Sequence, residues 1–134
     1  MMLRFSVPGE PTAWSRARLS GKVHFTAPKQ RSAAQLIQVI ASQAMAGAPP
    51  IEAPVAVTIT AVWPWPKSMS EKKRRQSGAH YKVSKPDADN IAKLVGDALN
   101  GIVWRDDALV ARLNIQKQYG LTPATHVTVE ALIP

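Results

Sequence analysis

Residues 85–107 read KPDADNIAKLVGDALNGIVWRDD, and this stretch decides how the rest of the sequence is interpreted. Every aspartate of the chain lies within it, from Asp87 to Asp107. Carboxylates held close together repel one another unless a cation offsets their charge. Mg²⁺ suits that role because it binds one or two carboxylates and fills its remaining positions with water and phosphate oxygens. We therefore expect a site for Mg²⁺, which Mn²⁺ could also occupy.

The apolar residues of this stretch recur at the spacing of an amphipathic helix. Asp87 is a preferred residue type for a helix N-cap, and Asn100 followed by Gly101 is typical of a helix end. The pattern therefore predicts a helix whose apolar face carries Ile91, Leu94, Val95, Ala98 and Leu99.

Three of the four aspartates that flank this helix could converge. Capping and the helix dipole explain one of Asp87 and Asp89 fully and the second only in part. Asp106 and Asp107 are adjacent, so in an extended chain they point to opposite sides and one of them faces a given site. The turn after the helix would bring that carboxylate back toward the first pair. Three converging carboxylates would form a Mg²⁺ or Mn²⁺ site.

Lys93 lies four residues after Asp89 and four before Asp97, on the same side of the predicted helix. A plain ion pair with either aspartate is one interpretation, and such a pair is worth about 0.2–0.5 kcal/mol. The alternative is that its ammonium contacts a phosphate and stabilises the charge that develops during cleavage.

The remaining sequence predicts an α+β fold in which two main helices pack against a mixed β-sheet, all in a single domain of residues 1–134. Thr26 is a candidate cap for the first helix, and Ser68 with Glu71 resembles a capping box for a short polar helix. The predicted strands or extended segments are 2–7, 55–63, 102–104, 109–119 and 126–133, the predicted helices are 29–45, 68–75 and the one after Asp87, and the predicted loops are 10–27 and 78–86.

The composition indicates a binder of polyanions. The 134 residues include 17 Lys and Arg against 9 Asp and Glu, for a net charge of +8. Nucleic acid is the commonest partner for such a surface, although a basic surface can also be inert. Cysteine is absent, which excludes disulfides, thiolate zinc sites and a cysteine nucleophile. The sequence shows no typical signal peptide and no apolar run that would span a membrane, so we expect a cytoplasmic protein.

The basic residues concentrate in residues 67–85, directly before Asp87. A solvated face would explain such a run, but its position beside the carboxylates favours contact with backbone phosphates. Tyr81 within the run could stack on a base. The candidate DNA-binding residues are Arg16, Arg18, Lys72, Lys73, Arg74, Arg75, Lys82 and Lys85.

Residues 85–120 resemble the RusA family of Holliday-junction resolvases. The resemblance rests on K-P-D-x-D-N, a lysine on the following helix, D-A-L-N-G, and then D-D with a basic strand, all in order. It implies that Asp87, Asp89 and Asp107 are metal ligands and that all three, together with Lys93, are catalytic. It also implies a homodimer that uses Mg²⁺ to make paired nicks in four-way junction DNA.

Two other functions fit parts of the sequence. A metal-dependent nucleotide phosphohydrolase would use similar carboxylates but has less need of a strongly basic surface. A non-enzymatic DNA-binding module would keep the basic segment and use the aspartates only as caps and ion pairs. Cleavage of DNA in the presence of Mg²⁺ separates the main hypothesis from both alternatives.

Overall fold

A four-stranded mixed sheet forms the centre of the protein, with its strands in the order β1-β6-β4-β5. The structure, a computed structural model, describes residues 1–16, 18–20, 23–25 and 27–133, with only the backbone described in the two short ranges. The strands are β1 (Met2–Pro8), β2 (Arg18–Ser20), β3 (Val23–Phe25), β4 (Val55–Pro64), β5 (Val110–Gly120) and β6 (Ala124–Ala131). The helices are α1 (Pro28–Met45), α2 (Glu71–Arg74) and α3 (Ala88–Leu99). This confirms the predicted α+β class, the mixed sheet and the two main helices.

Strand β4 lies between an antiparallel neighbour, β6, and a parallel neighbour, β5. Parallel neighbours cannot be joined by a tight turn, so the chain must leave β4 and return to the same end before β5 begins. Helices α2 and α3 and the basic run of residues 67–85 lie on this crossover, residues 65–109. The crossover therefore carries most of the residues that the sequence singles out.

One face of the sheet forms the core together with α1 and α3. Alternate residues of β4, such as Val57 and Ile59, are buried, while Thr58 between them is exposed, as expected for a sheet with one covered face. All five residues predicted for the apolar face of α3 are buried, together with Ala92. In α1 the apolar residues Ile37, Ala41 and Met45 form the buried stripe, whereas Leu36 beside them is 41% exposed.

The segment predicted as a loop over residues 10–27 contains a short hairpin, in which β2 pairs with β3 in an antiparallel register. Three-residue strands are too short to show an alternating pattern, which is why the sequence did not reveal them. The predicted cap Thr26 lies outside the described residues. Ala27 precedes the first turn of α1, without a side-chain cap, and Pro28 begins it.

Two local predictions on the crossover were wrong. Ser70, not Ser68, caps α2, because its hydroxyl accepts a hydrogen bond from the Lys73 backbone N–H at 3.2 Å. Residues 102–104 were predicted as extended, but Ile102 and Val103 form a turn after α3, and only Trp104 makes β-bridges, with Ile51 and Asn100. Gly101 starts that turn with a positive φ of 81°, a conformation that glycine adopts without steric cost.

None of the described helices is both long enough and apolar enough to cross a membrane.

Candidate metal and nucleic-acid site

A cleft of about 320 Å³ opens between α3 and the β4–β5 edge of the sheet. Its floor is apolar and includes Val57 and Ile59 of β4 and Leu113 of β5. Four charged residues line it: Asp89, Lys93, Asp97 and Asp107. The structure thus brings together three of the four residues predicted to be catalytic, namely Asp89, Lys93 and Asp107.

Helix α3 places three of these charged residues in one row. Asp89, Lys93 and Asp97 follow one another at intervals of four, which puts them on one face of a helix. The opposite face is held by the core, since Ile91 and Leu99 are completely buried. The row therefore projects from an element whose orientation is fixed by packing.

Asp107 reaches the cleft from the segment that follows α3. It begins a single 3₁₀ turn, Asp107–Leu109, and its Oδ1 accepts a hydrogen bond from the indole Nε1–H of Trp104 at 2.8 Å. Trp104 is 1% exposed, so this donor is itself rigidly held. Asp106 precedes the 3₁₀ turn and its Oδ1 faces the Ala108 backbone N–H at 3.5 Å instead. Of the two adjacent aspartates, Asp107 lines the cleft and Asp106 does not, and the segment is not a simple extended chain.

Asp87 stands apart from the cleft lining. Both of its carboxylate oxygens accept hydrogen bonds from Lys85 Nζ, at 2.8 and 2.9 Å. The hydrogen bond to Lys85, reinforced by its positive charge, lowers the pKa of Asp87, and the same contact raises the pKa of Lys85. Asp87 therefore occupies the predicted N-cap position of α3, but its side chain does not make the capping hydrogen bond that we expected.

Two carboxylates of the cleft, Asp89 and Asp107, are of the ligand type that a hard cation prefers. Within the described residues, no three acidic or histidine side chains lie close enough together to hold a metal ion. Asp89 and Asp107 nevertheless line one cleft, and Mg²⁺ requires only one or two carboxylates when water and phosphate complete its shell. The chemistry of the pair therefore suits Mg²⁺, while a cation at this position and Asp87 as a third ligand both stay predictions.

Lys93 makes the ion pair that the sequence allowed as one interpretation. Its Nζ lies 3.4 Å from Asp97 Oδ2, with both side chains about half exposed. The same Nζ lies 5.1 Å from the ring centroid of Trp14, within cation–π range. An exposed pair of this kind is worth about 0–1 kcal/mol, so it can yield to a stronger partner such as a phosphate.

The candidate DNA-binding residues divide into two groups. Arg16, Lys72, Lys73 and Arg75 are exposed. The other group is engaged with the protein: the Arg74 guanidinium lies 5.3 Å from the ring centroid of Trp65, Lys82 Nζ lies 5.2 Å from that of Trp63, and Lys85 binds Asp87. The side chain of Arg18 lies outside the described residues.

Backbone hydrogen bonds fasten the end of the basic segment to β5. The Tyr119 N–H donates to the His80 carbonyl at 2.7 Å, and the Lys82 N–H donates to the Lys117 carbonyl at 3.0 Å. Tyr81, predicted as a stacking residue, is 46% exposed and packs against His80 with 4.0 Å between ring centroids. Residues 80–82 thus extend the sheet shortly before the site residues begin.

The sequence did not single out three residues that shape the site. Trp14 covers Lys93, Trp104 orients Asp107, and Lys117 Nζ donates to the carbonyls of Ser84 and Pro86, each at 2.8 Å. Lys117 therefore fixes the loop that leads into Asp87. The spacing of three between Trp104 and Asp107 was a usable signal, whereas the contacts of Trp14 and Lys117 depend on tertiary packing.

Comparison with known proteins identifies the family of this chain. The family described as endodeoxyribonuclease RusA matches residues 8–130. A relative of similar length, the uncharacterized protein YqaN of Bacillus subtilis (strain 168), is 36% identical over 135 residues, covering 95% of this chain and 94% of its own. The match extends from the end of β1 into β6 and so includes the whole cleft. This chain belongs to the RusA endodeoxyribonuclease family.

Proposed function

We propose that this protein is a Mg²⁺-dependent, structure-selective endonuclease that resolves four-way (Holliday) junctions in DNA recombination and repair by paired symmetric nicks. The observation that carries the proposal is the meeting of Asp89, Asp107 and Lys93 in one cleft. The basic segment leads directly into α3, the helix that carries Asp89 and Lys93 into the cleft. Membership of an endodeoxyribonuclease family supports the same conclusion.

Asp89 and Asp107 would hold the cation, with Asp87 as the predicted third ligand. A bound Mg²⁺ would offset the negative charge that accumulates on the phosphoryl group during in-line displacement. Asp107 is already oriented by the Trp104 indole, so little reorganisation would accompany binding. For Asp87 to join them, its carboxylate would exchange Lys85 for the cation. Both side chains of that pair are exposed, which makes the exchange inexpensive.

Lys93 would contact a non-bridging oxygen of the scissile phosphate. Its ammonium lines the same cleft as the two carboxylates, and its ion pair with Asp97 is weak enough to exchange. A fixed positive charge aimed at the transferring group stabilises the transition state more than the ground state, which is the requirement for faster chemistry.

The exposed basic residues would hold the DNA backbone without reading its sequence. Lys72 and Lys73 lie on α2 and Arg75 is its C-cap, and all three are exposed, so their charges are accessible to phosphate. Contacts of this kind fix the orientation of DNA and carry no sequence information. The structure selectivity would then come from the relative position of two active sites.

A homodimer would supply those two sites. A four-way junction is resolved by two opposed nicks, and a two-fold axis presents two identical clefts in opposite directions. Sedimentation analysis of the free protein should therefore give twice the monomer mass, and a monomeric mass in both the free and junction-bound states would contradict this part of the proposal.

The deciding experiment compares a synthetic four-way junction with a linear duplex of matched sequence, each with Mg²⁺, Mn²⁺ or EDTA. We expect opposed nicks in the junction with either metal, little cutting of the duplex, and none in EDTA. Asp89→Asn serves as the matched control, because it keeps the side-chain shape and removes one charge. Junction binding without cleavage would indicate a DNA-binding module, and hydrolysis of free nucleotides alone would indicate a phosphohydrolase.

A further inference from the structure

The segment after β1 is fastened to both main helices. The Trp14 backbone N–H donates to the Asn90 carbonyl in the first turn of α3 at 2.9 Å. The Ser15 N–H and Oγ each donate to Gln30 Oε1 at 2.9 Å, and Gln30 is a buried polar residue of α1. The position of Trp14 is therefore fixed on both sides.

The Trp14 indole covers the ammonium of Lys93. Lys93 follows Asn90 by one turn of α3, so the backbone bond at Asn90 places the indole beside it, with Nζ 5.1 Å from the ring centroid. Asp97 Oδ2 lies 3.4 Å from the same Nζ. The ammonium thus has two partners, an aromatic face and a carboxylate one turn further along the helix.

Lys93 pairs with Asp97 and not with Asp89, which is the less stable of the two pairings in an isolated helix. In an isolated helix, an acid four residues before a lysine is the better partner, which would pair Lys93 with Asp89. Here Lys93 pairs with Asp97, and within the described residues Asp89 makes no ion pair. The contact with Trp14 accompanies this choice.

That choice matters for the site. An ammonium bound to Asp89 would compete with a cation for the same carboxylate and would itself be withdrawn from the phosphate. Lysine has four rotatable side-chain bonds, so without restraint it would sample both aspartates. A modest restraint is enough to bias such a choice, because a cation–π contact at a half-exposed position changes a population about two- to tenfold.

We propose that Trp14 is a positioning residue that holds Lys93 toward Asp97 and so keeps the Asp89 carboxylate open to a divalent cation. The proposal rests on the proposed function, since it assigns Asp89 to the cation and Lys93 to the phosphate. Trp14 itself would contact neither the cation nor the phosphate, and it acts through Lys93.

The position of Lys93 can be measured without any activity. In the metal-free protein, the ε-methylene protons of Lys93 should resonate upfield because of the Trp14 ring current, and Lys93→Arg assigns the signal by removing it. Trp14→Leu should return the signal to the range of an exposed lysine, whereas Trp14→Phe should keep part of the shift. A Lys93 signal at the exposed-lysine position in the unmodified protein overturns the proposal.

Mn²⁺ binding, followed by electron paramagnetic resonance without DNA, tests the consequence. Trp14→Leu should weaken Mn²⁺ binding about two- to tenfold, because the released ammonium can pair with Asp89. In a Lys93→Ala background the same change should have no effect. Equal Mn²⁺ affinity with and without the indole overturns the proposal, and so does an equal loss in both backgrounds.

Asp97→Asn tests the same idea from the surface, where folding is not at risk. It should also weaken Mn²⁺ binding in the presence of Lys93 and not in its absence, while Glu130→Gln, an equivalent charge loss on β6, should change nothing. An equal effect of Asp97→Asn in both backgrounds counts against the proposal. The rate of single-turnover junction cleavage should fall in Trp14→Leu and in Asp97→Asn, while junction affinity stays unchanged. Trp14→Phe should retain most of the wild-type rate. If no variant and not even the wild type cuts junctions, the proposed function fails while the resonance and Mn²⁺ results still decide the role of Trp14.

Discussion

Helix α3 and the basic segment of residues 67–85 are neighbours in the chain but are held in opposite ways. Six residues of α3 are buried, whereas the described residues of α2 bury none. Asp89, Lys93 and Asp97 thus project from a rigid element, and the exposed lysines of α2 from a loosely packed one. A fixed geometry serves chemistry, which depends on small distances. A compliant charged surface suits the DNA backbone, whose contacts depend mainly on charge.

The largest expected effect is on the rigid side of this comparison. Asp89→Asn should slow junction cleavage by about a thousandfold, the upper range for removing one preorganised electrostatic contact. Junction binding should be unchanged or slightly tighter, because a negative charge is lost and the basic segment is intact. Single-turnover cleavage and a binding titration check the two halves. Cleavage near the wild-type rate would mean that Asp89 has only a structural role at the start of the helix.

The difference in packing can be tested directly. Leu99→Ala in α3 removes a fully buried side chain and should cost about 2–5 kcal/mol in the free energy of unfolding. Ser70→Ala removes the cap of α2, whose local unfolding leaves the core intact, so the global cost should stay below about 0.5 kcal/mol. Urea unfolding of both variants gives the values. Similar losses would show that the two regions are equally coupled to the core.

Lys93→Ala should reduce single-turnover cleavage by about a hundredfold, with near-normal folding and junction affinity. If Lys93 served only as the ion-pair partner of Asp97, its loss would cost about 0.2–0.5 kcal/mol of stability and leave the cleavage rate unchanged. Lys93→Arg should restore little, since a planar guanidinium does not replace a compact ammonium in a fitted position. A Lys93→Ala protein that cuts within about threefold of wild type would remove Lys93 from the chemistry.

In the basic segment, replacing Lys72, Lys73 and Arg75 by glutamate should weaken binding to junction and duplex DNA alike. Each lost phosphate contact should reduce the slope of log affinity against log salt by about 0.9. Arg74→Leu is the matched comparison, because the Arg74 guanidinium stacks on Trp65 and donates to the Pro66 carbonyl. It should change the slope less than any one of the exposed three. An unchanged slope in the triple variant would mean that this segment faces away from DNA.

The smallest effect concerns the link between the two regions. Lys85→Met should raise the pKa of Asp87 toward its ordinary value, because the hydrogen bond and charge that favour the carboxylate are lost. A carboxyl whose pKa is lowered by folding adds stability above its ordinary pKa and loses that contribution as pH falls through the lowered one. Carbon-13 titration of the metal-free protein measures the shift. Lys82→Met should leave the titration unchanged.

The sequence predicted those features that depend on local patterns. The period of α3, its end at Gly101 and the row of Asp89, Lys93 and Asp97 all follow from the spacing of residues along one helix. The capping serine was misplaced because Ser68 and Ser70 both precede a suitable turn, and only the backbone geometry distinguishes them.

The remaining features depend on single contacts between particular residues and not on a repeating pattern. The cover that Trp14 provides for Lys93 requires a segment after β1 to reach α3. The difference between Asp106 and Asp107 requires the 3₁₀ turn and the buried Trp104 indole. Neither leaves a periodic signal, because the first contact joins residues far apart in the chain and the second depends on the buried position of Trp104.

The parallel pairing of β4 with β5 has a consequence for biosynthesis. Leu113 of β5 forms part of the cleft floor, and Lys117 of the same strand fastens the loop before Asp87. A nascent chain that ends before residue 110 already contains the site aspartates and Lys93, but lacks both supports. Pairing across a long crossover also forms late, because the entropy of closing it must be overcome first. A fragment that ends before β5 therefore contains these site residues without the strand that lines the cleft and holds the loop before Asp87.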